Sequence, residues 1–229
     1  RSLAVPMILL NVMHVLESCD PAYCEKYEEN AEALTADILR YHFNREHRIL
    51  LETVGKDGTF LKDIPAGRLV NPGHALEACW FLLTQAQQTE NLQTLQIVEE
   101  IFRQALKIGW DEEFGGVYAF TDLLGFPPEP LEHDMKLWWP TAEALISSIL
   151  LYEETRERKY FDWFEKIDAY AFSKFADPAY GDWYGYLHRD GTPTLPACKG
   201  NIYKGPFHLP RMLMIVEDCL GRLESTTEV

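Results

Sequence analysis

A four-part pattern recurs along this 229-residue chain: two helices, a short strand rich in glycine and aromatics, and a long loop broken by proline. Apolar periodicity predicts a helix pair over His74 to Gln87 and Leu92 to Ile108, then a strand at Gly115-Gly116-Val117-Tyr118-Ala119-Phe120. A loop with Pro127, Pro128 and Pro130 leads into a helix around Met135 to Glu154, whose partner runs from Lys159 to Phe175. Gly181-Asp182-Trp183-Tyr184-Gly185-Tyr186 repeats the strand, and Gly115 and Gly181 lie sixty-six positions apart. A second loop, with Pro193 and Pro196, ends at Gly205-Pro206, and a last helix runs to about Arg222. Helix pairs that cannot bury both faces alone stack on their neighbours, so the pattern predicts an all-α solenoid or toroid. Roughly seven helices are expected, against about twelve in a closed ring of six hairpins. The reading is therefore one domain over residues 1–229, somewhat more than half of such a toroid and incomplete, starting inside a helix without an initiator methionine.

The earlier part fits the same scheme. Ser2 to Leu16 is a mostly apolar helix, and Asp20-Pro21 ends it. Asp20 as cap and Pro21 at the first position open a second, amphipathic helix to about Tyr41. A β-like piece, Ile49 to Val54, closes at Gly55-Lys56-Asp57-Gly58.

The repeat brings three helix starts to one end of a closed toroid, and these carry the unusual residues. Asn71-Pro72-Gly73-His74-Ala75-Leu76-Glu77 puts a histidine on the first turn, where unpaired N–H groups and the helix dipole disfavour an imidazolium. Glu77 follows on the same face. A neutral imidazole beside a carboxylate is a proton-transfer site; the structural alternative is a capping histidine. The second start, His133-Asp134-Met135-Lys136-Leu137-Trp138-Trp139-Pro140-Thr141-Ala142-Glu143, joins two tryptophans to a proline at a helix start, an arrangement that is costly unless used. Trp138 and Trp139 would stack on the apolar faces of a sugar ring, with Lys136 and Glu143 on its hydroxyls or acyl carbonyl; the alternative is a tryptophan-filled core. The third, Gly205-Pro206-Phe207-His208-Leu209-Pro210-Arg211, repeats the histidine placement, with Arg211 three residues on. His14, His42, His47 and Arg48 have structural readings, and His188 is a weak candidate for the pocket.

Composition excludes more than it selects. A formal charge of −15 repels nucleic-acid phosphates. No apolar run is long enough to span a membrane, and the apolar start lacks a signal cleavage site. Five irregularly spaced cysteines suggest reduced, buried thiols in the cytoplasm. The histidines lack a metal-ligand spacing, so no metal is expected.

These three motifs, in this order, resemble those of the N-acylglucosamine 2-epimerases, a family that includes the mammalian renin-binding protein. The likeness runs over essentially the whole chain and implies an (α/α)6 barrel that interconverts N-acetylglucosamine and N-acetylmannosamine. It implies His74 and His208 as the acid/base pair, with Glu77 and Glu143 in the same pocket. It also implies a cytoplasmic homodimer that needs no cofactor and responds to ATP as an effector, although no glycine-rich phosphate loop is present. Relatives carry a preceding segment, with several barrel helices and a substrate-binding arginine, that has no counterpart here. Thr141 stands where many relatives have histidine or another polar residue.

The chemistry suits the residues. In the open-chain sugar the aldehyde acidifies the C2 hydrogen; one imidazole removes it and another returns a proton on the opposite face. Lys136 or Arg211 would stabilise the oxyanion. Two other readings stand beside this one: an aldose–ketose isomerase or other sugar epimerase on the same scaffold, and a non-catalytic protein-binding relative. A glycosidase fits less well, since histidines hold the positions where two carboxylates would be needed.

Overall fold

A computed structural model describes residues 1–227, and their contacts sort into two compact units. Unit 1 comprises residues 1–108 and 121–129; unit 2 comprises residues 109–120 and the chain from residue 130 onward.

Unit 1 begins with α1 (Ala4–Cys19), a 3₁₀ turn (Pro21–Tyr23) and α2 (Cys24–Asp37), which widens into a π-type turn over Ile38–His42. Asp20 does not cap this segment with its side chain; it accepts a hydrogen bond from the Tyr27 hydroxyl at 3.1 Å. A two-residue ladder pairs β1 (Phe43–Asn44) antiparallel with β2 (Ile49–Leu50). The short α3 (Pro65–Arg68) leads into β3 (Leu69–Val70), then α4 (Pro72–Gln88) and α5 (Leu92–Gly109). β3 pairs antiparallel with β4 (Thr121–Asp122). α1, α2 and α4 pack on one another. α4 is apolar nearly all round because it is buried nearly all round: Leu76, Phe81, Leu82 and Leu83 are each at most 1% exposed. Burial of each such side chain stabilises the fold by about 1.5–3 kcal/mol.

Unit 2 contains β5 (Lys136–Leu137), α6 (Trp138–Thr155), α7 (Arg158–Lys174), β6 (Tyr186–Leu187) and α8 (Leu209–Thr227). α6 packs against both α7 and α8, and its buried run from Trp138 to Leu151 is the core of the unit. Ser147 and Ser148 sit inside that core because their hydroxyls donate back to the carbonyls of Glu143 and Ala144 at 2.8 and 2.7 Å. β5 pairs antiparallel with β6, Lys136 opposite Leu187 and Leu137 opposite Tyr186.

The expected strand at Gly115–Phe120 is reduced to single bridges, Trp110 with Val117 and Tyr118 with Lys136. Gly115 and Gly116 both take positive φ and press against Tyr170; a Cβ on Gly116 would lie 2.5 Å from its ring. The chain must turn there, so it cannot extend into a longer ladder. The sixty-six-residue repeat is carried by the preceding turn. Asp111 Oδ1 accepts the N–H groups of Glu113 and Phe114 at 3.0 and 3.2 Å, and Asp177 Oδ1 accepts those of Ala179 and Tyr180 at 2.8 and 3.3 Å. Of the cysteines, Cys79 and Cys219 are buried, whereas Cys19 and Cys198 are exposed and Cys24 is half-buried. The expectation of uniformly buried thiols fails for those three, which lie outside the packed helix faces.

Candidate active site

In unit 1, His74 is the third residue of α4. Asn71 caps the helix by accepting the His74 backbone N–H at 3.2 Å, and Pro72 occupies the first position, where its missing donor is harmless. The histidine side chain therefore leaves a rigid helix end. Its Nδ1 lies 3.1 Å from both carboxylate oxygens of Glu52, which sits two residues beyond β2. A carboxylate only accepts, so Nδ1 carries the proton and, in the neutral ring, Nε2 carries the lone pair. Glu52 is itself held in place: its carbonyl accepts the Leu3 N–H at 2.9 Å. The neighbouring Leu51 N–H donates to the His42 carbonyl at 2.9 Å, and His42 Nδ1 donates to the Leu51 carbonyl at 2.8 Å. Burial pushes the His42 imidazole below its ordinary value, keeping it a neutral structural histidine. Glu77, expected beside His74, is buried one turn further along α4.

In unit 2, His208 directly precedes α8 and its carbonyl accepts the Met212 N–H at 2.8 Å. Its Nδ1 donates to Glu143 Oε1 at 2.7 Å, and Arg211 Nη2 donates to the same oxygen at 2.8 Å. Glu143, on α6, is fully buried. The same tautomer argument puts the lone pair of a neutral His208 on Nε2. The Trp139 ring lies 5.4 Å from the His208 ring, inclined at 36°, and is half-buried; Trp138 meets His208 edge-on at 6.5 Å and is 1% exposed. Of the two tryptophans expected to stack on a sugar, Trp138 is thus a core residue, packed against Tyr186 at 5.6 Å. Pro140 is tolerated as the third residue of α6, where the N–H would have no partner in the helix.

A family model described as N-acylglucosamine 2-epimerase (GlcNAc 2-epimerase) matches residues 1–205. The chain belongs to the N-acylglucosamine 2-epimerase family. It is 40% identical over 226 residues to the N-acylglucosamine 2-epimerase of Bos taurus, covering 98% of this chain and 53% of that protein. It is 38% identical to that of Homo sapiens, covering 97% and 52%. The chain thus spans about half the length of the curated relatives it matches. Among solved structures it superposes on cellobiose 2-epimerase from Spirochaeta thermophila with a TM-score of 0.81 at 17% identity, covering 97% of this chain and 53% of that one. A D-mannose isomerase gives 0.79 at 19% identity, covering 95% and 55%. The all-α fold expected from the sequence is that of this epimerase and isomerase group, whose (α/α)6 barrels it matches over about half their length.

Within this family member Lys136 takes an unexpected place. Anticipated as a donor to substrate, it is 0% exposed, its Nζ donating to Asp111 Oδ2 at 3.0 Å and lying 3.6 Å from the centre of the Tyr118 ring. Arg189 Nε donates to the same Asp111 oxygen at 2.9 Å. Burial opposes the Asp111 charge, but hydrogen bonds from Arg189, Lys136 and the Phe114 N–H outweigh it and hold the carboxyl well below the usual range. Burial lowers Lys136 to about 8 despite the opposing hydrogen bond to Asp111. Sequence reasoning missed Glu52, Asp111 and Arg189. Only Asp111 left a signal, its recurrence as Asp177 sixty-six positions later.

Proposed function

We propose that this chain carries the two acid/base groups of an N-acylglucosamine 2-epimerase, interconverting N-acetylglucosamine and N-acetylmannosamine. The observation that supports this most is the matched treatment of His74 and His208. Each stands at a helix start with Nδ1 tied to a carboxylate, which leaves Nε2 as the basic nitrogen. In the open-chain sugar one Nε2 takes the C2 hydrogen, the C2–H electron pair moves onto the C1 oxygen, and the other imidazole, protonated, delivers its proton to the opposite face of C2. The first imidazole is left protonated and the second neutral, so proton exchange with water resets the pair. Glu52 and Glu143 stabilise each imidazolium as it forms. The Arg211 guanidinium supports the developing oxyanion electrostatically, and Trp139 offers its ring to the apolar face of the sugar. Glu77 binds substrate in this reading, and the active form is a homodimer.

Proton NMR with N-acetylmannosamine in D₂O tests the reading. Deuterium should enter C2 as N-acetylglucosamine appears, and both His74→Gln and His208→Gln should slow formation of N-acetylglucosamine on the order of 10²–10⁴-fold with the fold retained. A ketose product would indicate C1–C2 isomerisation instead, and full activity in either variant would rule out the two-histidine scheme.

A further inference from the structure

We infer that Asp111, Lys136 and Arg189 form a positioning clamp for the His208 centre, a role that rests on the proposed reading of that centre as catalytic. β5 and β6 are only two residues each, and backbone pairing of that length is weak. α6 starts directly after β5 with no side-chain cap, and the Trp138 N–H goes to the Gly185 carbonyl at 3.2 Å. Packing on α7 and α8 fixes the body of α6, while its first turn, which carries Trp139 and leads to Glu143, is seated through these two short strands. Asp111 Oδ2 seats both. It receives Lys136 from β5 at 3.0 Å and Arg189, two residues past β6, at 2.9 Å.

The acceptor is itself rigid. The Asp111 side chain takes the N–H groups of Glu113 and Phe114, its backbone N–H donates to the Gly116 carbonyl at 3.0 Å, and its carbonyl accepts the Gly115 N–H at 2.8 Å. Asp111 is 1% exposed and Lys136 0%, so neither partner is exchanged for water. From the clamp the connection to chemistry is short. Lys136 is followed by Leu137, Trp138 and Trp139, and Glu143 lies on the same helix, holding His208 and Arg211 on one oxygen. The Tyr186 ring, on β6, packs against Trp138, which meets His208 edge-on. A buried ion pair is a poor source of stability compared with an apolar pair of the same size. A positional role accounts for the presence of this one.

Lys136→Met tests the clamp, since it keeps the chain length while removing the ammonium and leaves Asp111 paired with Arg189. The first readout is the ¹⁵N signal of the His208 ring, assigned by its loss in His208→Gln. In the wild-type chain it should report a proton on Nδ1 in the neutral form. Lys136→Met should mix the two tautomers and shift that signal; because it leaves the buried Asp111 carboxylate with Arg189 alone, it should also lower the melting temperature by several degrees. The second readout is turnover of N-acetylmannosamine, where kcat should fall on the order of 10–100-fold with a smaller change in KM. If Lys136→Met does not fold, the double variant with Asp111→Asn, which removes both buried charges together, is read instead with the same expectation. An unchanged His208 signal with kcat within twofold of wild type, in either folded variant, overturns the clamp. If the wild-type chain shows the His208 signal but no turnover, both alone and when supplied with the preceding segment that its relatives carry, the epimerase reading fails and the His208 signal alone decides the clamp.

Discussion

His74 and His208 reach the same hydrogen-bonding state by different routes, and the difference lies in the carboxylate. Glu52 is 15% exposed and meets His74 with both oxygens at 3.1 Å. Glu143 is fully buried, and a single oxygen serves both His208 and Arg211. A carboxylate near solvent can trade a lost partner for water. One inside a helix core cannot, and breaking a buried pair costs about 3–5 kcal/mol. The His74 centre should thus tolerate changes to its acid that the His208 centre does not.

The largest effects test what the two centres share. His208→Gln and His74→Gln should each lower kcat on the order of 10²–10⁴-fold, measured as the rate at which N-acetylglucosamine appears. Undiminished formation of N-acetylglucosamine in either variant would mean that its histidine transfers no proton. The next effects test what separates the centres. Glu143→Gln should lower kcat by about 10³-fold, since the amide no longer fixes the His208 tautomer, and should lower the melting temperature by several degrees because Arg211 keeps its charge beside a neutral side chain. Glu52→Gln should cost only about tenfold in kcat with little change in melting. If the two glutamate variants prove equally damaging, burial is not what distinguishes the centres.

The smallest effect concerns the repeated turns. Hydrogen bonding from Lys199, Ala179 and Tyr180 outweighs partial desolvation and lowers Asp177 to about 2, below the ordinary carboxylate value. Because the folded form binds its proton less readily than the unfolded form, Asp177 stabilises the fold above about pH 4 and loses that contribution as the pH falls towards 2. Asp177→Asn should therefore lower the melting temperature slightly at pH 7 and flatten its decline between pH 4 and 2. An unaltered acid limb would show that the half-buried Lys199 pairing has no bearing on stability. Asp111→Asn should change the same limb in the same direction and by more, because Lys136 is buried where Lys199 is 24% exposed.

The sequence made the helix starts legible because their signals are local. Asn71-Pro72-Gly73-His74 is a cap, a helix-opening proline and a histidine within four residues, and Gly205-Pro206-Phe207-His208 repeats the break. The partners were not legible because they are set by packing across the chain. Glu52 stands twenty-two residues before His74, and Arg189 seventy-eight after Asp111. Lys136 shows the limit most clearly. Beside two tryptophans it has the look of a ligand-facing donor, yet its bridge to Tyr118 puts the ammonium over that ring and against a carboxylate that no local pattern assigns to it. The Gly115 strand was overextended for a related reason: alternation of apolar residues signals a strand, while the Tyr170 ring that forces the turn lies fifty-four residues away from Gly116.

In the proposed mechanism two imidazoles invert C2 by proton transfer. The most direct measurement is the position and fate of deuterium when wild-type, His74→Gln and His208→Gln chains meet N-acetylmannosamine in D₂O, followed by proton NMR. The two-imidazole mechanism predicts loss of the C2 proton signal together with growth of C2-deuterated N-acetylglucosamine in the wild-type chain alone. Epimerisation that retains the original C2 hydrogen, or that persists at full rate without either histidine, would contradict it.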